Sequence, residues 1–300
     1  MNRTHWQGVM PAITTAFRED MSVDIPVIEK HVAWLVGHGS TGIVTPGSLG
    51  EGATLEPDEK VMIWKACVRA CGSVPVIAAV SALSTAEAVR SAKAAQAAGC
   101  RGLMVLPPYV YRGEWREIKA HFAAVLQATD LSCMLYNNPL AYGTDVTAEQ
   151  VGQLASEHAN LHAVKESSAD VRRLTAIRAE VGDRLALFVG VDDLIVEGIA
   201  AGATGWIAGL VNAFPAESMR LFQMARAGRQ EEARALYEWF LPLLRLDVVP
   251  EFVHLIKLVQ QEMGWGHERV RQPRMVLTGE KRSACLAVLR DAVADRPKGS

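Results

Sequence analysis

Gly99-Cys100-Arg101-Gly102-Leu103-Met104-Val105-Leu106 joins the end of a helical pattern to a short apolar run with almost no break between them. Glycine is favoured one step past a helix, where the chain turns left-handed and a β-carbon would clash. A second glycine, three residues on, opens a run of strand length. The arrangement recurs as Gly39-Ser40-Thr41-Gly42 before Ile43-Val44-Thr45, and as Gly202-Ala203-Thr204-Gly205 before Trp206-Ile207-Ala208. Strands that read as continuous apolar runs between helices are strands covered on both faces, as in a parallel sheet.

Outward from these three copies the alternation fills the chain to about Ala227. Candidate strands are Gly8–Thr14, Gly42–Pro46, Pro75–Val80, Gly102–Leu106, Ser132–Tyr136, His162–Lys165, Leu185–Val189 and Gly205–Leu210. Helix starts lie between them: Ser84 with Glu87 and Thr147 with Gln150 have capping-box spacing, and Pro57 and Pro215 suit a first helical turn. Eight such units predict an α/β fold, a closed (β/α)8 TIM barrel over residues 1–228. Residues 229–300 then read as a C-terminal extension of three helices, Arg229–Leu246, Val249–Gly264 and Lys281–Asp295, with a frayed Lys298-Gly299-Ser300 tail. An open doubly wound sheet is the alternative, but no G-x-G-x-x-G follows the first strand run.

Half of the 300 residues are hydrophobic and 21% charged, enough for a large core. A formal charge of −2 with no basic cluster gives no sign of a nucleic-acid partner. No apolar run reaches membrane-spanning length and no signal peptide opens the chain, so a cytoplasmic protein is expected. The five cysteines, Cys67, Cys71, Cys100, Cys133 and Cys285, have no C-x-x-C spacing and read as reduced, buried thiols. The histidines form no H-E-x-x-H motif and Gly47-Ser48-Leu49-Gly50 lacks the G-x-S-x-G spacing, which argues against a zinc protease and a triad hydrolase.

In a (β/α)8 barrel the chemistry sits past the C-terminal strand ends. Strand six closes on Ala163-Val164-Lys165-Glu166-Ser167-Ser168, putting a lysine in an apolar run. Such a lysine either snorkels to solvent or is a desolvated amine that attacks a carbonyl. His162, at an odd offset from Lys165, is expected on the opposite face of the strand. Strand five ends in Leu135-Tyr136-Asn137-Asn138-Pro139, which offers a phenol on the neighbouring strand, either a packed core tyrosine or a proton relay. The loop Gly47-Ser48-Leu49-Gly50-Glu51-Gly52 after strand two is an ordinary β–α turn or a nest of backbone N–H groups for an anion. After strand seven, Gly190 would admit a ligand close to the backbone, and Asp192 or Asp193 would cap the next helix.

Together these segments resemble the dihydrodipicolinate synthase / N-acetylneuraminate lyase family of Schiff-base-forming barrels. Gly47-Ser48-Leu49-Gly50-Glu51 is similar to its G-[ST]-x-G-E loop, Tyr136-Asn137-Asn138-Pro139 to its Y-N-x-P strand end, and Lys165-Glu166-Ser167-Ser168 to its K-[ED]-x-[ST] segment. The resemblance implies an imine between Lys165 and a small 2-oxo acid, with Tyr136 shuttling protons. It places Gly47, Ser48, Leu49, Tyr109, Asn138, Gly190 and Ile207 around the substrate, and implies no cofactor, no metal and a homotetramer built as a dimer of dimers.

The chain departs from the synthase pattern at three points. Leu49 stands for the second threonine of a pair, Leu140-Ala141-Tyr142-Gly143 replaces an expected arginine, and Pro107-Pro108-Tyr109-Val110-Tyr111 replaces paired tyrosines. These departures point to catabolic members: 2-keto-3-deoxy sugar acid or 4-hydroxy-2-oxoglutarate aldolases and dehydratases, or the pyrroline-4-hydroxy-2-carboxylate deaminase of the hydroxyproline route. 4-Hydroxy-tetrahydrodipicolinate synthase is the alternative within the family. A metal-dependent aldolase using acids such as Glu51, Glu166 and Asp192, and a non-catalytic 2-oxo acid binding protein, are the alternatives outside it.

Overall fold

The computed structural model describes residues 1–297; the tail Lys298-Gly299-Ser300 lies outside the described residues. Eight strands form one sheet: β1 (Gly8–Pro11), β2 (Ile43–Thr45), β3 (Val76–Val80), β4 (Gly102–Val105), β5 (Ser132–Asn137), β6 (Leu161–Glu166), β7 (Ala186–Val189) and β8 (Gly205–Ala208). Their order is β1-β8-β7-β6-β5-β4-β3-β2, and all neighbours in this order run parallel. Just past the end of β1, Ala12 bridges Val44 of β2 and the Ile13 N–H donates to the Val44 carbonyl at 3.1 Å, which closes the ring.

The helices are α1 (Ile25–Gly37), α2 (Pro57–Cys71), α3 (Thr85–Ala97), α4 (Trp115–Gln127), the one-turn α5 (Pro139–Tyr142), α6 (Ala148–Glu157), α7 (Arg172–Val181), α8 (Ile195–Ala200) and α9 (Pro215–Arg226). Three more follow, α10 (Gln230–Leu244), α11 (Phe252–Glu262) and α12 (Gly279–Ala294). The fold is the (β/α)8 barrel with a C-terminal helical part that the alternation predicts.

Local signals account for the boundaries. Gly39, Gly99 and Gly202 take φ of +95°, +93° and +99°, each ending a helix ahead of a strand. Thr147 and Gln150 form a reciprocal capping box on α6. Ser84 caps α3, but Glu87 turns away to pair with Arg90, so that box is only half made.

Strand alternation sorts the apolar side chains into two layers. Val9, Ile43, Val76, Leu103, Cys133, Val164, Leu187 and Trp206 face the helices. Met10, Val44, Ile77, Met104, Met134, Tyr136, Phe188 and Ile207 fill the barrel interior. Each large side chain fully removed from water contributes about 1.5–3 kcal/mol before entropy is charged against it.

The N-terminal end of the barrel is plugged by Trp6, whose Nε1 donates to Ser132 Oγ at 2.7 Å. His162 belongs to this plug: it lies 2.7 Å from the same hydroxyl through Nδ1. His162 does not take the opposite strand face that its offset from Lys165 predicts. A register shift between Cys133 and Met134 pairs Leu161 with Cys133 and Ala163 with Met134, so His162 is an extra, bulged residue that swings to Ser132 instead of joining the helix-facing layer.

The C-terminal helices pack against the barrel and reach the C-terminal ends of its strands. Trp239 of α10 donates to the Ala292 carbonyl of α12 at 3.0 Å. Lys257 of α11 is 1% exposed and lies 2.8 Å from Glu51, which is fully buried in the loop after β2. All five cysteines are free and buried.

Candidate active site

Register sets the centre of the site. In the β5–β6 ladder Tyr136 stands opposite Lys165, and in the β6–β7 ladder Lys165 stands opposite Phe188. Lys165 is 7% exposed. Its Nζ lies 3.9 Å from the centroid of the Tyr136 ring. Burial lowers its pKa to about 8, against the opposing pull of the Asp247 and Asp192 carboxyls. The snorkelling alternative is therefore set aside: this amine stays inside.

A second buried lysine shows what a structural role looks like. Lys257 is also lowered to about 8 by burial, but it lies 2.8 Å from Glu51 Oε1 and donates to the Thr15 carbonyl at 2.8 Å. Among the described residues Lys165 has no such ion pair. A buried amine held over a phenol, with no carboxylate at contact, is free to react.

Tyr136 is held by its neighbours. Asn138 Nδ2 donates to the Tyr136 hydroxyl at 2.9 Å, while Asn138 Oδ1 accepts from the Ala141 N–H and starts α5. Asn138 thus orients the phenol and positions α5 together. Desolvation raises the Tyr136 pKa, and the hydrogen bond from Asn138 partly offsets that rise.

Gly190 follows β7, and Lys165 fills the space it leaves. A β-carbon there would overlap Ser167 Oγ and Lys165 Cε and lie 2.8 Å from Lys165 Cγ. Ile207 of β8 is 2% exposed and lies in the same interior cluster as Tyr136 and Phe188. Lys165, Tyr136, Asn138, Gly190 and Ile207 are therefore brought to one end of the barrel.

The loop after β2 adds Gly47, Ser48 and Leu49. Ser48 Oγ hydrogen-bonds the Tyr142 hydroxyl. Among the described residues the backbone N–H groups of Ser48 and Leu49 donate to no protein acceptor, whereas the Glu51 and Gly52 N–H groups close the turn onto Ser48 and Gly47. Glu51 itself takes φ +55° and points away to Lys257, with Oε2 accepting the Arg271 N–H at 2.8 Å. A β-carbon on Gly47 would make only ordinary contacts, the nearest being Met104 Cε at 3.6 Å.

Tyr142 is the residue that sequence reading missed. Its ring meets Tyr136 edge-on with centroids 5.9 Å apart and Tyr109 at 6.0 Å. Tyr109 is thereby joined to the site through an aromatic chain. Arg112 was also missed: its guanidinium packs where a β-carbon of Gly143 would lie, 2.7 Å from Nη2. With Thr144 and Asp145 it lines a cavity of about 120 Å³ on that side of the mouth. No arginine follows Pro139, yet a guanidinium reaches that side of the mouth from the loop between β4 and α4.

The acids do other work than expected. Asp192 does not cap the next helix. It accepts from Trp206 Nε1 at 2.9 Å, the Gly209 N–H at 3.1 Å and the Leu210 N–H at 2.8 Å, tying the loop after β7 to the end of β8. Glu166, next to Lys165 but on the outer face, accepts from Asn137 Nδ2 at 3.0 Å and the Ser168 N–H at 2.7 Å. Among the described residues no three His, Cys, Asp or Glu side chains group as a metal site.

A closed barrel with a desolvated lysine at the end of its sixth strand defines a class of carbonyl-chemistry lyases, and comparison with known proteins places the chain within it. The model of the Dihydrodipicolinate synthetase family matches residues 5–292, and the chain belongs to that family. It is 30% identical over 270 residues to the 4-hydroxy-tetrahydrodipicolinate synthase of Macrococcus caseolyticus, covering 90% of each chain. It is 32% identical over 291 residues to the probable mitochondrial 4-hydroxy-2-oxoglutarate aldolase of Emericella nidulans, covering 94% of each. The chloride-inhibited dihydrodipicolinate synthase of Acinetobacter baumannii, solved with pyruvate, superposes with a TM-score of 0.91 at 28% identity over 96% of this chain and 99% of that one. The protein is an enzyme of the lyase class.

Proposed function

We propose that the protein is a Schiff-base lyase for a small 2-oxo acid, and that it serves a catabolic reaction. The observation that carries this reading is the Lys165 amine: buried, unpaired, lowered to about 8, and 3.9 Å from the Tyr136 ring centroid. A neutral amine attacks C2 of the oxo acid. Loss of water from the carbinolamine gives the iminium, whose positive nitrogen accepts an electron pair when a proton leaves C3 or the C3–C4 bond breaks. Tyr136, held by Asn138, relays the protons of carbinolamine formation and breakdown. The unpaired N–H groups of Ser48 and Leu49, with the Ser48 hydroxyl, receive the substrate carboxylate. Gly47 opens the same loop, Gly190 and Ile207 shape the floor, and Tyr109 borders the mouth.

The catabolic reading is supported by Leu49, which has no hydroxyl to relay a proton, and by Tyr142, which takes the partner role at Ser48. Substrates in this range are 2-keto-3-deoxy sugar acids, 4-hydroxy-2-oxoglutarate and pyrroline-4-hydroxy-2-carboxylate. Synthesis of 4-hydroxy-tetrahydrodipicolinate is the second reading. It is favoured by the name of the Macrococcus relative and by Arg112, a cation beside Gly143. A barrel unit ending near residue 228 and an extension bracing its mouth follow from the same reading, as do a cytoplasmic site of action and a homotetramer. The tetramer would cover Leu83 and Val110, which are 70% and 89% exposed on neighbouring loops.

The test is intact-mass measurement after borohydride reduction with pyruvate and with longer 2-oxo acids, using Lys165→Ala as control. An adduct on the wild type alone supports the imine at Lys165, and the acid turned over fastest names the substrate class. An adduct that persists in Lys165→Ala, or no adduct at all, refutes the reading.

A further inference from the structure

One half-buried carboxyl at the barrel mouth keeps a buried oxygen without a hydrogen-bond partner, and it comes from outside the barrel. Asp247 ends the short turn Arg245–Asp247 that follows α10. Its Oδ1 has no partner among the described residues. The atom occupies the space of the missing β-carbon of Gly209, with Oδ2 2.7 Å from that position. Gly209 directly follows β8, and by strand alternation it shares the inward side with Ile207. The turn is anchored to the loop after β7, since Arg245 Nε lies 3.7 Å from Asp193 and the Tyr237 hydroxyl donates to the Asp193 carbonyl.

Asp247 has a carboxyl neighbour in Asp192, and both act electrostatically on Lys165. Two buried carboxyls close together do not both ionise. Asp192 has three N–H donors aimed at it and keeps the charge. Asp247 has none, and burial together with the Asp192 charge holds its carboxyl well above the usual range. Of the two carboxyls Asp247 is therefore the one that holds its proton more readily, at the mouth and within electrostatic reach of Lys165.

We propose that Asp247 is a catalytic acid that donates its proton to a hydroxyl or amino leaving group on C4 of a 2-oxo acid held at Lys165. The inference rests on the imine reading above and adds to it the bond that breaks. Once the C3 proton has left, the enamine nitrogen pair re-forms C=N⁺ and the C2=C3 pair becomes C3=C4. The C4–O bond then breaks with its electrons on oxygen. The Asp247 proton completes a water molecule (ammonia where nitrogen leaves), and the carboxylate is reprotonated from solvent. The substrate class is a C4-hydroxy or C4-amino 2-oxo acid.

The experiment compares wild type with Asp247→Asn, which keeps the shape but holds no transferable proton. The probes are pyruvate, which has no C4, and 4-hydroxy-2-oxobutanoate, each trapped by borohydride. Both proteins should give the pyruvate adduct, which shows on the same sample that the variant is folded around a working lysine. With the hydroxy acid, the wild-type adduct should be lighter by one water. The variant should keep the hydroxyl and eliminate it about 10²–10⁴-fold more slowly. The wild-type elimination rate should also fall at alkaline pH as the acid ionises, a limb absent from the variant. Equal elimination in the two proteins overturns the role of Asp247, and so does a variant that loses the pyruvate adduct while staying folded by its melting curve. No pyruvate adduct in the wild type overturns the imine reading itself, a separate outcome.

Discussion

The Lys165 side chain runs through the space that a β-carbon on Gly190 would occupy: such an atom would overlap Cε and lie 2.8 Å from Cγ. Glycine at 190 is thus a condition for the lysine conformation. Gly190→Ala should displace the amine and abolish borohydride trapping of pyruvate, while the backbone, whose φ there is not left-handed, tolerates the change. The cost to stability should be about 1–3 kcal/mol, the range for overpacking. Adduct formation and a urea melt on the same variant check both parts.

Burying Lys165 costs stability. Its pKa is lowered from 10.5 to about 8, a difference of about 3 kcal/mol by linkage. Below pH 8 the folded chain holds the charged amine in a poor solvent, and the penalty is complete. Between pH 8 and 10.5 the unfolded chain binds the extra proton, so wild-type stability rises with pH across that window. Lys165→Met, close in volume, should therefore be inactive yet more stable by up to about 3 kcal/mol at pH 7. The gain should shrink towards zero above pH 10.5, as read from denaturant midpoints. Wild-type turnover should rise as pH passes about 8, where the amine becomes neutral.

Burial has the opposite consequence for His31 in acid. It is held neutral by burial, with its pKa lowered from 6.5 to about 4, and its Nε2 lies 2.9 Å from the Asn212 carbonyl. Between pH 6.5 and 4 the unfolded chain takes up a proton that the folded chain refuses, so stability should fall through that window. The loss approaches about 3 kcal/mol by pH 4. His31→Gln should flatten this part of the stability–pH curve; an unchanged slope would mean that other groups drive acid unfolding.

The barrel was legible because buried parallel strands leave apolar runs and because helix ends need glycine, as at Gly39, Gly99 and Gly202. Lys165 and Tyr136 were legible because strand ends are where such barrels expose chemistry. What the sequence hides is what distant segments deliver. Tyr142 enters through a one-turn helix whose direction depends on Asn138. Arg112 crosses to Gly143 from another loop. Asp247 lies 82 residues after Lys165 and arrives on a turn of the C-terminal helices. Its only local trace is an acid among apolar residues in Leu246-Asp247-Val248-Val249. The His162 bulge has no sequence mark at all.

Tyr136 and Tyr142 should separate kinetically although their rings are 5.9 Å apart. Tyr136→Phe removes the proposed proton relay and should lower kcat by about 10²–10⁴-fold with little change in KM. Tyr142→Phe removes only the partner of Ser48. One hydrogen bond contributes about 0.5–1.5 kcal/mol, so KM should rise by up to roughly tenfold while kcat stays close to wild type. If both variants lose kcat equally, Tyr142 belongs to the relay.

Glu51 and Lys257 hold the Ser48 loop against α11, and they do so as a fully buried pair 2.8 Å apart. Removing one partner leaves the other charge in a dry interior, which costs about 3–5 kcal/mol, whereas replacing both is close to neutral. Glu51→Gln should therefore lower the urea midpoint strongly, since the buried Lys257 ammonium would keep neutral acceptors such as the Thr15 carbonyl but lose its counter-charge. Glu51→Gln combined with Lys257→Met should recover most of that loss. Neither residue touches the substrate in the proposed site, so activity of the double variant reports whether the pair also sets the loop geometry. A stable but weak-binding double variant would mean that the ion pair exists to aim the Ser48 and Leu49 N–H groups. A stable variant with unchanged KM would limit its role to joining the extension to the barrel.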